Sequence, residues 1–508
     1  MPPPFTVRPF SAENLFDQLS SYSAATEIAK KYQSQYLARY LETIGAKTII
    51  SEHRYVDRDY LDDFSQFYVK CFERYEHVCK RLHFFSETMD EATVAAVIKN
   101  EPGSNSDLLQ ESYLGFTVAR PLPDAVIGRT ALKTYPDDGG RRHYTALRTY
   151  RANLFGIELQ VDSLAFQEQD KALAACATVA LWSCFHKASE LFQTPAPTPA
   201  EITRAANRLV NQVRPLPSHG LEVHQMCTAI RHIGLEPEVI EPKPNIPLTS
   251  LIYSHLRFGN PVLLGVEIEG LGLHAITLTG YSLLPSRHLQ TEVSAPHTGI
   301  PLVGSRINEF YAHDDQTGPF SRLKVVPHPN MRSEIKFENE RYTANGVALS
   351  MWPTVVVVPI YNKIRLGFMR VYEITTQIAA VFEFVASMLG LPPDQFEWDL
   401  HIVSTNAFKK KLRANPANVS GNDLFAALTK PHPRYGWRIL LRFQGNRVVE
   451  LLADTTAMEM SDPIYDLTWR ESHWKEVFRS LFSSPPLANR IEETLGAKLF
   501  KTFQESFR

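Results

Sequence analysis

Cys176 stands where a polar run, Phe166 to Asp170, gives way to an apolar stripe. Behind it Ala177, Leu181, Cys184, Ala188 and Leu191 recur at alternating steps of four and three, the pattern of a helix buried on one side. A cysteine at such a helix start meets unpaired backbone N–H groups and the positive end of the helix dipole, and both favour thiolate over thiol. A sulfur so placed can attack an acyl carbon once a base takes its proton. Cys184, eight residues along the same stripe, carries the same atom but reads as core, the ordinary place for a free cysteine.

Three histidines compete with His274 for the role of base. His186 lies ten residues along the same helix, about 15 Å of rise from Cys176, and cannot reach the thiol. His224 and His232 fall on the polar face of a helix predicted over 221–233, where a solvated imidazole is the usual case. His274 lies between apolar residues of a strand predicted over 273–281. Another strand is predicted over 261–268, and a later one ends in His313-Asp314-Asp315. Thr198-Pro199-Ala200-Glu201 has the form of a capping box opening a further helix.

A cysteine on a helix, then a histidine and an aspartate on later strands, resembles the papain-like cysteine peptidases, more narrowly the branch related to bacteriocin leader peptidases. Gly259-Asn260-Pro261-Val262-Leu263-Leu264 and Gly272-Leu273-His274-Ala275-Ile276 look like the strand pair that presents the family's histidine. The family's glutamine precedes the nucleophile by six residues and donates to the oxyanion. Here Asp170 holds that position and Gln169 stands one residue earlier. Ala177 replaces the usual glycine after the cysteine. The family's aspartate is commonly followed by proline, with a glycine four residues on. Asp314-Asp315-Gln316-Thr317-Gly318 keeps the aspartate and the glycine. The gap from His274 to Asp314 exceeds the family's, and an irregular insertion over about 283–305 would account for it and could gate the cleft. The match spans about 161–326.

The resemblance implies an acyl-enzyme mechanism with Cys176 as nucleophile, His274 as base, Asp314 as the acceptor that orients the imidazole, and Gln169 with the Cys176 N–H at the oxyanion. It implies a peptide or protein substrate and no cofactor or metal. Two other readings stay open: a papain-like acyltransferase or transglutaminase in which an amine replaces water, and a degenerate, non-catalytic scaffold. Strand alternation predicts that only one of Asp314 and Asp315 faces His274, with Asp315 an exposed turn carboxylate.

Composition sets outer bounds. At 508 residues the length suggests about three domains at ~150 residues each. The expected divisions are a helix-rich N-terminal region with some strand over 1–160, the peptidase-like α+β core over 161–340 and an α+β domain over 341–508. Lys and Arg number 53 against 55 Asp and Glu, so no global field draws the chain to nucleic acid or an anionic membrane. Five cysteines, mostly on predicted helices, argue against a disulfide framework and for a reducing compartment. With no apolar run of ~18 residues and no basic-then-apolar start, a soluble cytoplasmic protein is expected.

Elsewhere the pattern predicts two helices over 12–45, a strand near 48–51, and one long amphipathic helix from Leu61 to Leu82 on steps of three and four. Cys71, His77, Cys79 and His83 at its end invite a zinc reading, but zinc fingers gather ligands from two elements and a packed helix is the better account. Strands are expected at 112–123, 143–150 and 158–164. Beyond residue 340 lie an apolar strand over 352–360 read as covered on both faces, a helix over 366–389, and alternating strands at 396–402, 437–443 and 448–452. The Lys409–Arg413 charge run reads as a solvated helix end.

Overall fold

A computed structural model describes residues 3–21, 23–105, 107–170, 172, 175–208, 220–286, 299–327, 333–344, 346–414, 421–457 and 463–507. The chain is mixed α+β with antiparallel sheets. It forms two compact units built from interleaved segments: 1–242, 259–282 and 309–360 in the first, 243–258, 283–308 and 361–508 in the second. The three consecutive divisions expected from sequence are thus distributed over two units.

In the first unit a strand, Phe5–Pro9, is followed by three helices, Ala12–Leu19, Ala25–Lys30 and Tyr32–Thr43, where two were expected. The extra break falls at Lys31, whose ψ of 129° is extended. A five-stranded antiparallel sheet follows, in the order Phe5–Pro9, Thr48–Tyr55, Cys79–Phe85, Tyr113–Ala119, Ile127–Leu132.

This sheet overturns the long helix expected from Leu61 to Leu82. A helix capped by Asp57 runs only over Arg58–Gln66, a single tight turn covers Tyr68–Lys70, and Cys79–Phe85 is a strand paired on both edges. Arg81 to Phe85 are buried without interruption. A continuous buried run has no period of its own, so spacing alone does not separate a central strand from a helix, and pairing with two neighbours decided it. His83 is spent in this core, its Nδ1 3.0 Å from the Tyr113 hydroxyl.

The sheet that carries the candidate site has eight strands. Along its main path lie Ser333–Phe337, Gly318–Pro327, Ile307–Asp314, Gly272–Leu283, Val262–Ile268, Met351–Tyr361 and Leu235–Ile240, and Arg142–His143 pairs with the far end of Gly272–Leu283. The apolar strand near 352–360, read from sequence as part of the C-terminal domain, is therefore an inner strand of this sheet. Val356 to Ile360 are buried and Trp352 to Val355 half-buried. The Cys176–Phe192 helix packs on Val262–Ile268 with twelve buried side chains. Thr277 fastens it, donating its hydroxyl to the Ala180 carbonyl at 2.8 Å. The expected helices at 199 and 223 form, the first with its Thr198–Glu201 capping box complete.

The second unit holds a four-stranded antiparallel sheet, Phe396–Ser404, Tyr435–Phe443, Asn446–Asp454 and Ile464–Trp469, with the Phe368–Met388 helix contributing Phe382 to an aromatic core of Phe396, Trp398, Trp469, Trp474 and Phe478. Among the described residues no helix is long and apolar enough to cross a membrane. The expected gating insertion falls largely on 287–298, outside the described residues.

Candidate active site

Cys176 is the first residue of its helix. Ala175 ahead of it is extended and offers no side-chain cap, and the first turn has no acidic residue. The first-turn N–H groups are therefore not consumed by a capping side chain, which leaves them to an anion forming at this end. Cys176 is half-buried. Cys184 is fully buried, with burial pushing its thiol up to about 12 and its sulfur 3.8 Å from the Thr277 hydroxyl. It is core.

His274 lies on an inner strand, opposite Val266 in register, and is nearly fully buried. Its Nε2 is 2.9 Å from Asp314 Oδ1. Cys176 is the other side chain that raises the ring's proton affinity, as a neighbour of the imidazole. Burial alone would lower the imidazole's proton affinity. The hydrogen bonds to Asp314 and Cys176, with the charges of Asp314 and Asp315, outweigh it and hold the group well above its ordinary value.

Asp314 is completely buried and fully used. Oδ1 accepts from His274 and from the Gln316 N–H at 3.1 Å; Oδ2 accepts from the Thr317 hydroxyl at 2.7 Å and the Tyr342 hydroxyl at 2.8 Å. Burial opposes its charge, but these donors and the imidazole hold the carboxyl below the usual range. Thr317 and Tyr342 were not singled out from sequence. Thr317 sits within the quoted Asp314–Gly318 motif, where a hydroxyl three residues after an aspartate is a turn signal. Tyr342 comes from a short turn 28 residues on and carries no local signal.

Asp315 corrects an expectation. It is buried, not an exposed turn residue, and its Oδ1 is 3.5 Å from His274 Nε2, so both aspartates face the imidazole. Strand alternation fails here because the register breaks between Ala312 and Asp314 and the chain turns at once, the Thr317 N–H bonding the Asp314 carbonyl at 2.9 Å. Burial, joined by the charges of Asp314 and Glu168, pushes its carboxyl up to about 7.

Gln169 is half-buried and its side chain makes no hydrogen bond among the described residues, so the structure does not join it to Cys176 or His274. Asp170, at the family's glutamine position, is tied inward. Its Oδ1 accepts from the Ala172 N–H at 2.8 Å and it is a hydrogen-bond partner of Tyr68. Glu168 is buried in an ion pair with Lys31, and Arg120 donates to its carbonyl at 2.9 Å. These contacts fix the approach to Cys176 and, among the described residues, leave the Gln169 side chain without a hydrogen bond, as they do the Nε2 of buried Gln167.

The competing histidines are occupied elsewhere. His186 packs edge-on to Trp182 with burial and nearby arginines holding it well below its ordinary value; His224 pairs with Glu222 at 3.2 Å and His232 with Arg208 at 3.0 Å. His313 donates Nε2–H to the Leu164 carbonyl and accepts from the Phe320 N–H on Nδ1, a neutral ring locked in place. The donor atoms of His274, Asp314 and Asp315 lie within 4.8 Å of one another, close enough to meet at one cation. Four donors already on Asp314 mark it instead as an orienting acceptor. No protein-family model matches the chain, and a search of curated proteins finds no matching relative.

Proposed function

We propose that this chain is a papain-like cysteine peptidase that cleaves a peptide or protein partner through an acyl-enzyme. One observation carries the reading: a buried imidazole, neighboured by a cysteine at a helix start, is hydrogen-bonded to a buried, four-donor aspartate. The arrangement suits one sequence of steps. His274 takes the Cys176 proton, and the sulfur attacks the scissile carbonyl carbon. The imidazolium returns that proton to the departing amine as the C–N bond breaks. Water, deprotonated by His274, then attacks the thioester and releases the acid. Asp314 holds the ring through both halves by accepting from Nε2–H. The Cys176 N–H, joined by Gln169 once a substrate draws it in, stabilises the oxyanion, a donor in such a role supporting about 3 kcal/mol of the barrier reduction.

The test is site-resolved alkylation. Iodoacetamide at pH 6, read by peptide mass spectrometry, should modify Cys176 at least a hundredfold faster than Cys227, and His274→Ala should remove the advantage. Equal rates at the two cysteines, or an advantage that survives His274→Ala, would reject the pair. Turnover of a fluorogenic peptide library with and without added alkylamine then separates hydrolysis from acyl transfer.

A further inference from the structure

The second carboxyl at His274 has no place in the mechanism just given. Asp315 is 3% exposed, 3.5 Å from the imidazole, and among the described residues neither of its oxygens receives a well-formed hydrogen bond. Its neighbour on the same turn receives four. A buried carboxylate so poorly supplied with donors is costly, so such a group is kept for a reason other than packing.

Its surroundings define what it can do. His274 faces it from the adjacent strand, Asp314 and the Gln316 N–H from its own turn, Glu168 from the segment ahead of Cys176, and the Tyr342 hydroxyl from the 340–342 turn. Glu168 is itself paired with Lys31 and flanked by Arg120. Two aspartates and one imidazolium share a dry space. With Asp314 already ionised and saturated with donors, the proton that relieves the crowding resides on Asp315.

We infer that Asp315 is a positioning residue that holds a proton while the imidazolium is secure and gives it up as the medium becomes alkaline, so that its new charge keeps His274 protonated. The inference rests on the peptidase reading of the site. The proton passes from the carboxyl to solvent base, and no bond to carbon or sulfur is involved. The range over which the imidazolium can serve as acid to the leaving amine is thereby extended upward in pH. Asp315 touches neither substrate nor sulfur in this role. It acts through the ring.

Asparagine is the neutral isostere of protonated Asp315, which makes Asp315→Asn the informative variant. The ring nitrogens of His274 are followed by ¹⁵N NMR in histidine-labelled protein, assigned by the signal lost in His274→Gln. The expected result is a midpoint for loss of the imidazolium at least one pH unit lower in Asp315→Asn than in the parent, a tenfold weaker hold on the proton. Thermal unfolding supplies a second reading. The folded Asp315 value lies above the unfolded one of ~3.9, so the parent loses stability as pH rises from there to about 7. Asp315→Asn should therefore gain more in Tm over the parent at pH 8.5 than at pH 4.5. A His274 midpoint that moves by less than 0.3 unit overturns the inference, even where Tm responds, because a merely structural carboxyl would move only Tm. Should Asp315→Asn not fold, Glu168→Gln keeps Asp315 and removes a charge that opposes its ionisation. The loss of stability with rising pH still begins near the unfolded value but must then end at lower pH, and an unmoved end point counts against the role. Failure of the underlying reading looks different: Cys176 alkylation in the parent would then be indifferent to His274.

Discussion

Changing Tyr342 to phenylalanine takes one of four donors from Asp314 and leaves the ring in place. The bond removed is an O–H to carboxylate contact of 2.8 Å between groups that are 4% and 0% exposed. Hydrogen bonds to charged groups of this kind contribute about 1.5–3 kcal/mol. Because two interleaved units need not unfold in one step, the turn itself is the place to measure. The Gln316 and Thr317 amides, bonded to Asp314 Oδ1 and to its carbonyl, report local opening by hydrogen exchange. At 1.4 kcal/mol per factor of ten, their exchange should quicken about 10- to 150-fold at pH 7. The sign with pH is fixed by the carboxyl. Asp314 is held below its usual range, so its contribution is present above the unfolded value of ~3.9 and is lost as pH falls through the folded value. The difference between Tyr342→Phe and the parent should accordingly close in acid. Thr317→Val, removing the companion donor on Oδ2, should behave alike and combine non-additively. Unchanged exchange at pH 7, or a difference that widens toward acid, would show that Tyr342 does not hold the carboxylate.

Cys176→Ala should abolish peptide turnover with unfolding unchanged, whereas Cys184→Ala should cost about 1 kcal/mol and spare the chemistry; the reverse pattern in parallel kinetic and melting runs would move the nucleophile. Gly318→Ala puts a methyl 2.2 Å from the buried Tyr36 ring, so a loss of about 1–3 kcal/mol and a slower Cys176 alkylation are expected, and a neutral melting shift would contradict the close packing. His274→Gln should destabilise most below pH ~6.5 and least in alkali, because a raised folded value gives stability that fades as pH climbs through it; urea titrations at pH 6 and pH 9.5 decide the order.

Much of the site could be read along the chain because each part announces itself locally. The stripe from Ala177 to Leu191 marks the helix, alternation over 273–281 marks the strand of His274, and the short interval from Asp314 to Gly318 marks a turn. Other parts depend on what the fold brings from afar. The strand at Cys79–Phe85 is buried on both sides by neighbours about thirty residues away in either direction, and its own composition fits a helix as well. Asp315 is buried because a register break, invisible to a rule of alternating faces, turns it inward. Tyr342 reaches Asp314 across 28 residues that include two strands, and nothing in its immediate sequence hints at a carboxylate partner.

The interleaving of the two units also bears on how the protein is made. Cys176 emerges 98 residues before His274 and 138 before Asp314, and the inner strand Met351–Tyr361 is later still. At about 5–20 residues per second, translation separates thiol from orienting carboxylate by roughly 7–30 s. During that interval the chain on the ribosome presents Cys176 without the His274–Asp314 pair complete. On the peptidase reading proposed above, the order of residues along the polypeptide thus delays completion of the site until Asp314 has been synthesised.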